Sequence, residues 1–233
     1  MKQSNYYLFF FFFIMSFSGC YRYIYWAESI VCQGTKIETC FSVVQPYIRS
    51  ARAYDQFTTL GLFDALWINK QVLQAYACAY NSKYGLNAQE YDEFLEKQYE
   101  EFSPYISFYL LAVIPGNVGF LLTEENPQWI VQLKINNNFY SPAKIKLVEL
   151  SHEFRYFFGK YLTVFKKQYL VQFNAYDENN NPVLFPGVST IELVLRRVGY
   201  ETSICWPLDM ALHVIDTNPL QEDIMMYDLK TNI

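Results

Sequence analysis

The sequence is poor in the residues from which most enzyme sites are built. It has 2 histidines among 233 residues, His152 and His213, which limits both acid–base and metal chemistry. It contains no glycine-rich phosphate loop and no Gly-x-Ser-x-Gly motif. It also lacks dense lysine and arginine clusters, and its net charge of -5 argues against a surface that follows a nucleic-acid backbone. The sequence therefore predicts no catalytic residue, no cofactor and no nucleic-acid partner.

Two short stretches come closest to a catalytic or metal site, and each fails on a requirement of that chemistry. Residues 151–153, Ser-His-Glu, combine three catalytic residue types, but a functional triad is normally assembled from distant segments. Asp177, Asn179 and Asn181 resemble the start of a calcium loop, but Pro182 stands where glycine is needed for the sharp turn. We interpret the first stretch as a loop or helix start and the second as a solvated turn, so no metal site is predicted.

Carboxylates and tyrosines are plentiful on the predicted helices. The carboxylates between Glu90 and Glu101 lie opposite an apolar stripe, which is typical of the solvated face of a helix. The tyrosines either form a binding face for a protein or glycan or cover a core, and both alternatives stay open. These tyrosines are Tyr76, Tyr80, Tyr84, Tyr91 and Tyr99.

The N-terminus has the features of an export signal. A short segment with one lysine, Met1–Asn5, precedes an uninterrupted apolar run, Leu8–Phe17. As a helix, residues 6–17 would cover about 18 Å, whereas the hydrocarbon core of a bilayer is about 30 Å thick. Small residues and then Arg22 follow the run directly. This pattern predicts a cleaved signal rather than a membrane span.

The end of this signal, Phe17-Ser18-Gly19-Cys20, resembles the lipobox of bacterial lipoproteins, in which two small residues precede a cysteine. The resemblance implies that the chain is cut before Cys20 and that the Cys20 thiol carries diacylglycerol, which holds the protein at the membrane. Tyr21 is not the aspartate that resembles an inner-membrane retention signal, which favours the outer membrane. Two alternatives stay open: a secretory signal cut after Ala27, and an uncleaved signal anchor.

Four cysteines follow Cys20, and in an exported protein an even number is compatible with disulfides. Cys32 and Cys40 are closest in sequence and are the preferred pair, which would close a clip behind the lipid anchor. Cys78 and Cys205 either pair with each other or stay separate as small buried hydrophobes.

Two helices are predicted in the first half of the chain. Asn69 is placed to cap a helix over Lys70–Tyr84, and Asn87 with Glu90 resembles a capping box that starts a second helix through Phe102. A short helix is predicted at Tyr47–Phe57, whereas the apolar run Leu60–Ile68 leaves helix and strand open.

From Tyr105 onward the apolar residues alternate with polar ones, which predicts an antiparallel sandwich with immunoglobulin-like topology as the analogy. A two-residue hairpin loop is expected at Gly199-Tyr200. The predicted strands are Tyr105–Ile114, Gln128–Ile135, Ala143–Leu150, Tyr169–Tyr176, Thr190–Val198 and Glu201–Trp206.

These patterns predict an α+β protein in five segments: a signal (1–19), a tether with a disulfide clip (20–45), a helical region (46–104), a β-sandwich (105–206) and a C-terminal tail (207–233). The hypothesis for its function is a lipid-anchored envelope protein that binds an envelope protein or a glycan, or supports assembly. The alternative is an envelope hydrolase whose carboxylates come from separate strands.

Overall fold

The computed structural model describes residues 37–115, 122–123 and 127–208. The predicted signal, Cys20, Cys32 and His213 lie outside these residues. Within them the chain forms four α-helices and nine strands in two antiparallel sheets, which confirms the α+β prediction.

The helices are α1 (Ile37–Val44), α2 (Lys70–Tyr84), α3 (Ala88–Phe102) and α4 (His152–Phe158), with 3-10 turns at Gln45–Tyr47 and Gly159–Tyr161. The strands are β1 (Ile48–Asp55), β2 (Thr58–Ile68), β3 (Tyr105–Val113), β4 (Ile130–Ile135), β5 (Asn138–Tyr140), β6 (Lys144–Leu147), β7 (Lys167–Asn174), β8 (Thr190–Arg197) and β9 (Tyr200–Pro207).

The strands form a five-stranded sheet A, in the order β1-β2-β3-β7-β6, and a four-stranded sheet B, in the order β5-β4-β8-β9. The facing sides of the two sheets share one apolar core. Trp206 of β9 lies against Phe108 of β3 with 5.2 Å between their ring centroids, so the core is continuous from one sheet to the other. Side chains alternate between two faces along a strand, and this alternation supplies the core residues Val131, Leu133 and Ile135 of β4.

The opposite side of sheet A is covered by helices. Leu66 of β2 and Leu111 of β3 are buried there together with Val72 of α2 and Phe154 and Phe157 of α4. The central strands β2 and β3 of sheet A are therefore buried on both faces, whereas the edge strands β1 and β6 are largely exposed. This burial explains why β2 reads as a nearly continuous apolar run. Such a run does not show the alternation by which a half-buried strand is recognised.

The two predicted helices are present, and their ends follow from local hydrogen bonds. Asn69 caps α2 by accepting a bond from the Val72 backbone N–H at 2.9 Å, and Gly85 follows the helix with a φ of 65°. Asn87 and Glu90 form a full capping box at the start of α3. These signals are local, which is why the sequence predicts them well.

The predicted division of the N-terminal half is wrong in two respects. The tether (20–45) contains α1, and the helical region (46–104) begins with β1 and β2 where a short helix was expected at Tyr47–Phe57. Helices α2 and α3 are inserted between β2 and β3, which pair with each other in sheet A. The helices and the sheets thus form one unit, because the strands just before and just after the two helices in sequence, β2 and β3, are neighbours in the sheet that the helices cover.

The last hairpin is also shifted by one residue from its prediction. Arg197 pairs with Tyr200, so the turn consists of Val198 and Gly199 rather than Gly199 and Tyr200. The positive φ of 78° falls on Gly199, the second residue of the turn, which is the position where a type II turn needs glycine.

The cysteine pairing differs from the preferred prediction as well. Cys40 of α1 is joined to Cys78 of α2 by a disulfide, with 6.5 Å between their Cα atoms. A cysteine forms only one such bond, so Cys40 does not pair with Cys32. Helix packing brings together two residues 38 positions apart, and Cys205 is an exposed free thiol on β9.

Reduction of this disulfide is expected to destabilise the protein, because the bond closes a loop of 38 residues in the unfolded chain. Loop-closure entropy sets the expected loss in unfolding free energy at about 2–4 kcal/mol. Urea unfolding of the Cys40→Ser/Cys78→Ser variant beside the wild type measures this loss, with Cys205→Ser as the matched control. Equal stability of all three proteins would contradict the prediction, and peptide mapping without reductant checks the pairing directly.

Candidate binding surface

Three connections between strands lie at one end of the two sheets. In sheet A, Asp55 pairs with Thr58 across the β1–β2 turn, and Ala112 near the end of β3 pairs with Lys167 at the start of β7. In sheet B the β8–β9 turn follows Arg197, and β9 runs beside β1. We call this surface the loop end. It consists of the turn 56–57, the loop 159–166 and the turn 198–199.

The loop end carries the most exposed large apolar side chains of the described residues. Phe57 is fully exposed, and Val198, Val164 and Phe165 expose 95%, 94% and 79% of their surface. The next in rank, Tyr54, exposes 56% and lies near the end of β1. Burial of apolar surface is favourable by about 25 cal/mol per Å², so exposed apolar groups that share one surface are typical of a contact site.

The loop 159–166 is held to sheet A by a buried ion cluster. The Asp64 carboxylate of β2 is fully buried and accepts hydrogen bonds from Ser50 and Arg52 of β1 and from Lys166. The Arg52 Nη2 and Lys166 Nζ atoms lie 2.8 Å and 2.5 Å from its oxygens. Lys166 Nζ also donates a hydrogen bond to the Tyr161 carbonyl. The ammonium group of Lys166 thus links Tyr161 of the same loop to Asp64 of sheet A.

The energetics of this cluster depend on complete pairing. Burial alone would raise the pKa of Asp64, but the bonds from Lys166, Ser50 and Arg52 outweigh it and hold the pKa below its ordinary value of 3.8.

Within the loop 159–166, the Lys166 backbone N–H donates a hydrogen bond to the Thr163 carbonyl at 3.1 Å. The turn that this bond closes carries the exposed residues Val164 and Phe165.

The other two parts of the loop end lie beside each other. The Tyr200 side chain lies near the Asp55 carboxylate, and this interaction raises the pKa of Tyr200. The Arg197 guanidinium lies 5.7 Å from the Trp129 ring centroid and 5.9 Å from that of Tyr200, within the range of a cation–π contact. Because β1 and β9 lie side by side, the β1–β2 and β8–β9 turns are neighbours although they belong to different sheets.

The catalytic residue types at 151–153 do not converge on a site. Ser151 caps α4 by accepting from the Phe154 backbone N–H, and His152 is exposed. Glu153 is buried and pairs with Lys83 of α2 at 3.3 Å. Burial opposes ionisation of Glu153, but backbone, Ser151 and Lys83 hydrogen bonds outweigh it and lower its pKa. The three residues thus start a helix and fix it to α2, as the helix-start interpretation predicts.

The calcium-like segment is a self-bonded turn. Asp177 accepts hydrogen bonds from the backbone N–H groups of Asn179 and Asn181 at 2.9 and 2.8 Å, and these bonds lower its pKa. Its carboxylate is therefore engaged in the hydrogen bonds that close the turn, in agreement with the prediction of a solvated turn. The described residues contain no group of three or more histidine, cysteine or acidic side chains placed to hold a metal ion.

The carboxylates of α3 are exposed, which confirms the predicted solvated face. The tyrosines mostly cover a core: Tyr76 stacks on Phe154 at 4.5 Å and Tyr80 on Phe94 at 4.2 Å between ring centroids. Tyr84, at the end of α2, is the exception, with 53% of its surface exposed. The structure therefore favours the interpretation that Tyr76 and Tyr80 cover a core.

The buried cluster is the feature that sequence reasoning missed. Asp64 is the one charged residue in the apolar run Leu60–Ile68, and a lone charge in a buried strand is a signal that it needs partners. Its main partner, Lys166, is 102 residues away, so the sequence pattern alone did not identify it.

No family model, curated protein or solved structure matches this chain. Among the residues that the structure describes, no helix is both long and apolar enough to cross a membrane.

Replacement of Asp64 by asparagine is expected to lower the unfolding free energy by about 3 kcal/mol, because removal of one partner leaves a buried charge uncompensated. Here that charge is Lys166, whose side chain is 9% exposed. Urea unfolding measures the change. The exposed Asp92→Asn variant is the control, with an expected change within about 0.5 kcal/mol. Adding Lys166→Met to Asp64→Asn should recover part of the loss, and a full loss in the double variant would contradict the ion-pair explanation.

Stability is expected to fall on acidification because the folded-state pKa values of Asp64 and Glu153 are lowered from 3.8 and 4.5. The unfolded chain then binds protons at a higher pH than the folded chain, so the stabilisation is complete above these ordinary values and is lost below them. Urea unfolding at a series of pH values between neutrality and the acid range measures the slope. The Asp64→Asn variant should show a shallower slope than the wild type, and identical slopes would contradict the assignment.

Proposed function

We propose that the protein is a lipid-anchored, non-enzymatic binding module of the bacterial cell envelope and that the loop end is its binding surface. The observation that carries the binding role is the exposure of Phe57, Val164, Phe165 and Val198 on one end of a two-sheet scaffold. Binding residues are often presented on loops that a rigid scaffold positions. Hydrogen bonds and ion pairs fix these loops to the sheets, so the apolar groups are held outward.

The strand order supports an immunoglobulin-like topology for this module. Strands β2-β3-β7-β6 follow the order A-B-E-D of an immunoglobulin sheet, and β5-β4-β8-β9 follow C′-C-F-G of the opposite sheet. Strand β1 is an additional edge strand in this assignment, and the helices are insertions. The β8–β9 turn then corresponds to the F–G loop, which belongs to the antigen-binding end of antibody variable domains.

Attachment through Cys20 is the second part of the proposal, and its support is the lipobox-like sequence Phe17-Ser18-Gly19-Cys20. The predicted cut would leave residues 21–36 between the acylated cysteine and α1. Two or three acyl chains on one residue give stable attachment, whereas one chain gives marginal binding. We place the module at the outer membrane, because Tyr21 does not resemble the inner-membrane retention signal.

The hydrolase alternative has no support from the described carboxylates. The two that are buried, Asp64 and Glu153, are each paired with cations. A glycosidase needs two carboxyl groups about 5–10 Å apart across a substrate cleft, with one of them protonated. Both buried groups have lowered pKa values, which is the opposite of what a general acid requires.

Intact-mass analysis of the protein recovered from bacterial membranes tests the anchor. The expected result is a chain that begins at Cys20 and carries acyl chains, and Cys20→Ala should release the protein from the membrane fraction. Cys205→Ser is the matched control and should stay attached. A mature N-terminus at another residue, or unchanged attachment of Cys20→Ala, would contradict the lipoprotein proposal.

A further inference from the structure

We propose that the loop end docks on the surface of an anionic lipid bilayer, with Phe57, Val164, Phe165 and Val198 inserted among the headgroups and the nearby cations against lipid phosphates. This inference rests on the proposed binding role of the loop end, whose partner it names, and does not depend on Cys20. Three observations support it: the excess of cations at the loop end, the apolar chemistry of its exposed side chains, and the contacts that fix its loops to the sheets.

Charge is segregated between the loop end and the rest of the chain. Residues 54–60, 159–167 and 196–201, which are the loop end and the residues beside it, contain five cations and two anions, and with Asp64 included the net charge is +2 in a chain whose total is -5. Lys166 is neutralised by Asp64, but Lys160, Lys167 and Arg197 form no ion pair among the described residues. Each lysine or arginine near an anionic membrane contributes about 1 kcal/mol of attraction.

The acidic residues concentrate elsewhere. Helix α3 contains six carboxylates and one lysine, a net charge of -5, and all of these side chains are exposed. An anionic surface therefore attracts the loop end and repels α3, which favours one orientation of the molecule. Attraction of this kind is electrostatic and acts over about a Debye length, 8 Å at physiological salt.

The chemistry of Phe57, Val164, Phe165 and Val198, here called the tips, suits a lipid surface. Protein interfaces are enriched in phenylalanine as well as tyrosine, tryptophan and arginine, but they also form about one hydrogen bond per 100–200 Å² of interface. The four tips are phenylalanine and valine, which have no polar atoms in their side chains. Apolar side chains beside lysine and arginine are typical of segments that lie in the membrane interface.

The tips also lie on three separate connections rather than in a groove. Phe57 and Val198 stand at the two hairpin turns, and Val164 and Phe165 stand in the loop before β7. Separate protruding groups need no matching cavity in a fluid bilayer, whereas a protein partner would need a pocket for each. The Asp64–Lys166 ion pair holds the loop 159–166 to sheet A, and the other two connections are tight turns between paired strands, which reduces the entropy lost on binding.

Hydrogen–deuterium exchange on vesicles tests the inference at the loops themselves. The full chain as recovered from membranes is placed on vesicles of phosphatidylcholine alone or of equal parts of phosphatidylcholine and phosphatidylglycerol. Peptides covering 54–60, 159–167 and 196–201 should be protected on the anionic vesicles and not on the neutral ones. Because each peptide reports on its own segment, membrane attachment through the N-terminus does not produce this signal.

Paired variants separate the apolar and the ionic contributions. Phe57→Ser/Phe165→Ser should abolish the protection, whereas Phe185→Ser should not, because Phe185 lies in the connection at the opposite end and is also partly exposed. Lys160→Glu/Lys167→Glu should reduce the protection of the loop peptides on anionic vesicles at least about tenfold, in line with the attraction per cation. Lys70→Glu/Lys97→Glu reverses two exposed lysines on α2 and α3 and should have no such effect.

Three results would overturn the inference. The first is equal exchange of the loop peptides with and without anionic vesicles. The second is self-association in solution that Phe57→Ser/Phe165→Ser abolishes, which would identify a second copy of the chain as the partner. The third is loss of a protein partner in the same variant with no vesicle protection in the wild type. In the last two cases the binding role of the loop end survives and only the bilayer is excluded.

Discussion

Burial of the centre of sheet A on both faces is the constraint from which the rest of the architecture follows. Its inner face shares a core with sheet B, and its outer face lies under α1, α2 and α4. Strands in such a sheet carry apolar side chains on both sides, so neither face is stable in contact with water. The helix before β1, the first of the two helices inserted between β2 and β3, and the helix between β6 and β7 supply this cover.

A charge inside a sheet of this kind is stable only when it is fully paired. Asp64 meets this condition through Ser50, Arg52 and Lys166, and the last of these reaches it from the loop before β7. Because the buried Asp64 carboxylate needs Lys166 as a partner, it fixes the position of the surface loop 159–166. A core interaction and the proposed binding surface are connected through one ammonium group, whose removal would affect both stability and the orientation of Val164 and Phe165.

The surfaces of the molecule have different chemistry. Helix α3 is acidic, and the outer face of sheet B is polar, with the Lys134–Glu192 and Arg196–Glu201 ion pairs on neighbouring strands. Among the surfaces formed by residues 37–115, 122–123 and 127–208, the loop end is the one that combines near-complete exposure of apolar groups with an excess of cations. Attachment at Cys20 and contact at the loop end would together supply the two signals that stable and oriented membrane association needs.

The sequence by itself determined the features that depend on neighbouring residues. These are the capped helices α2 and α3, the strands from Tyr105 onward except the short β5, and the turn at Asp177, because caps, alternation and side-chain-to-backbone bonds act over a few positions. It failed at β1, whose edge position and partner β2 are not local properties, and at the disulfide, where Cys40 meets Cys78 of another helix. Only the tertiary structure decided which charges meet at Asp64 and which loops share an end of the sheets. The Asp64–Lys166 contact joins residues 102 positions apart, and its energy depends on burial that no short stretch of sequence reports.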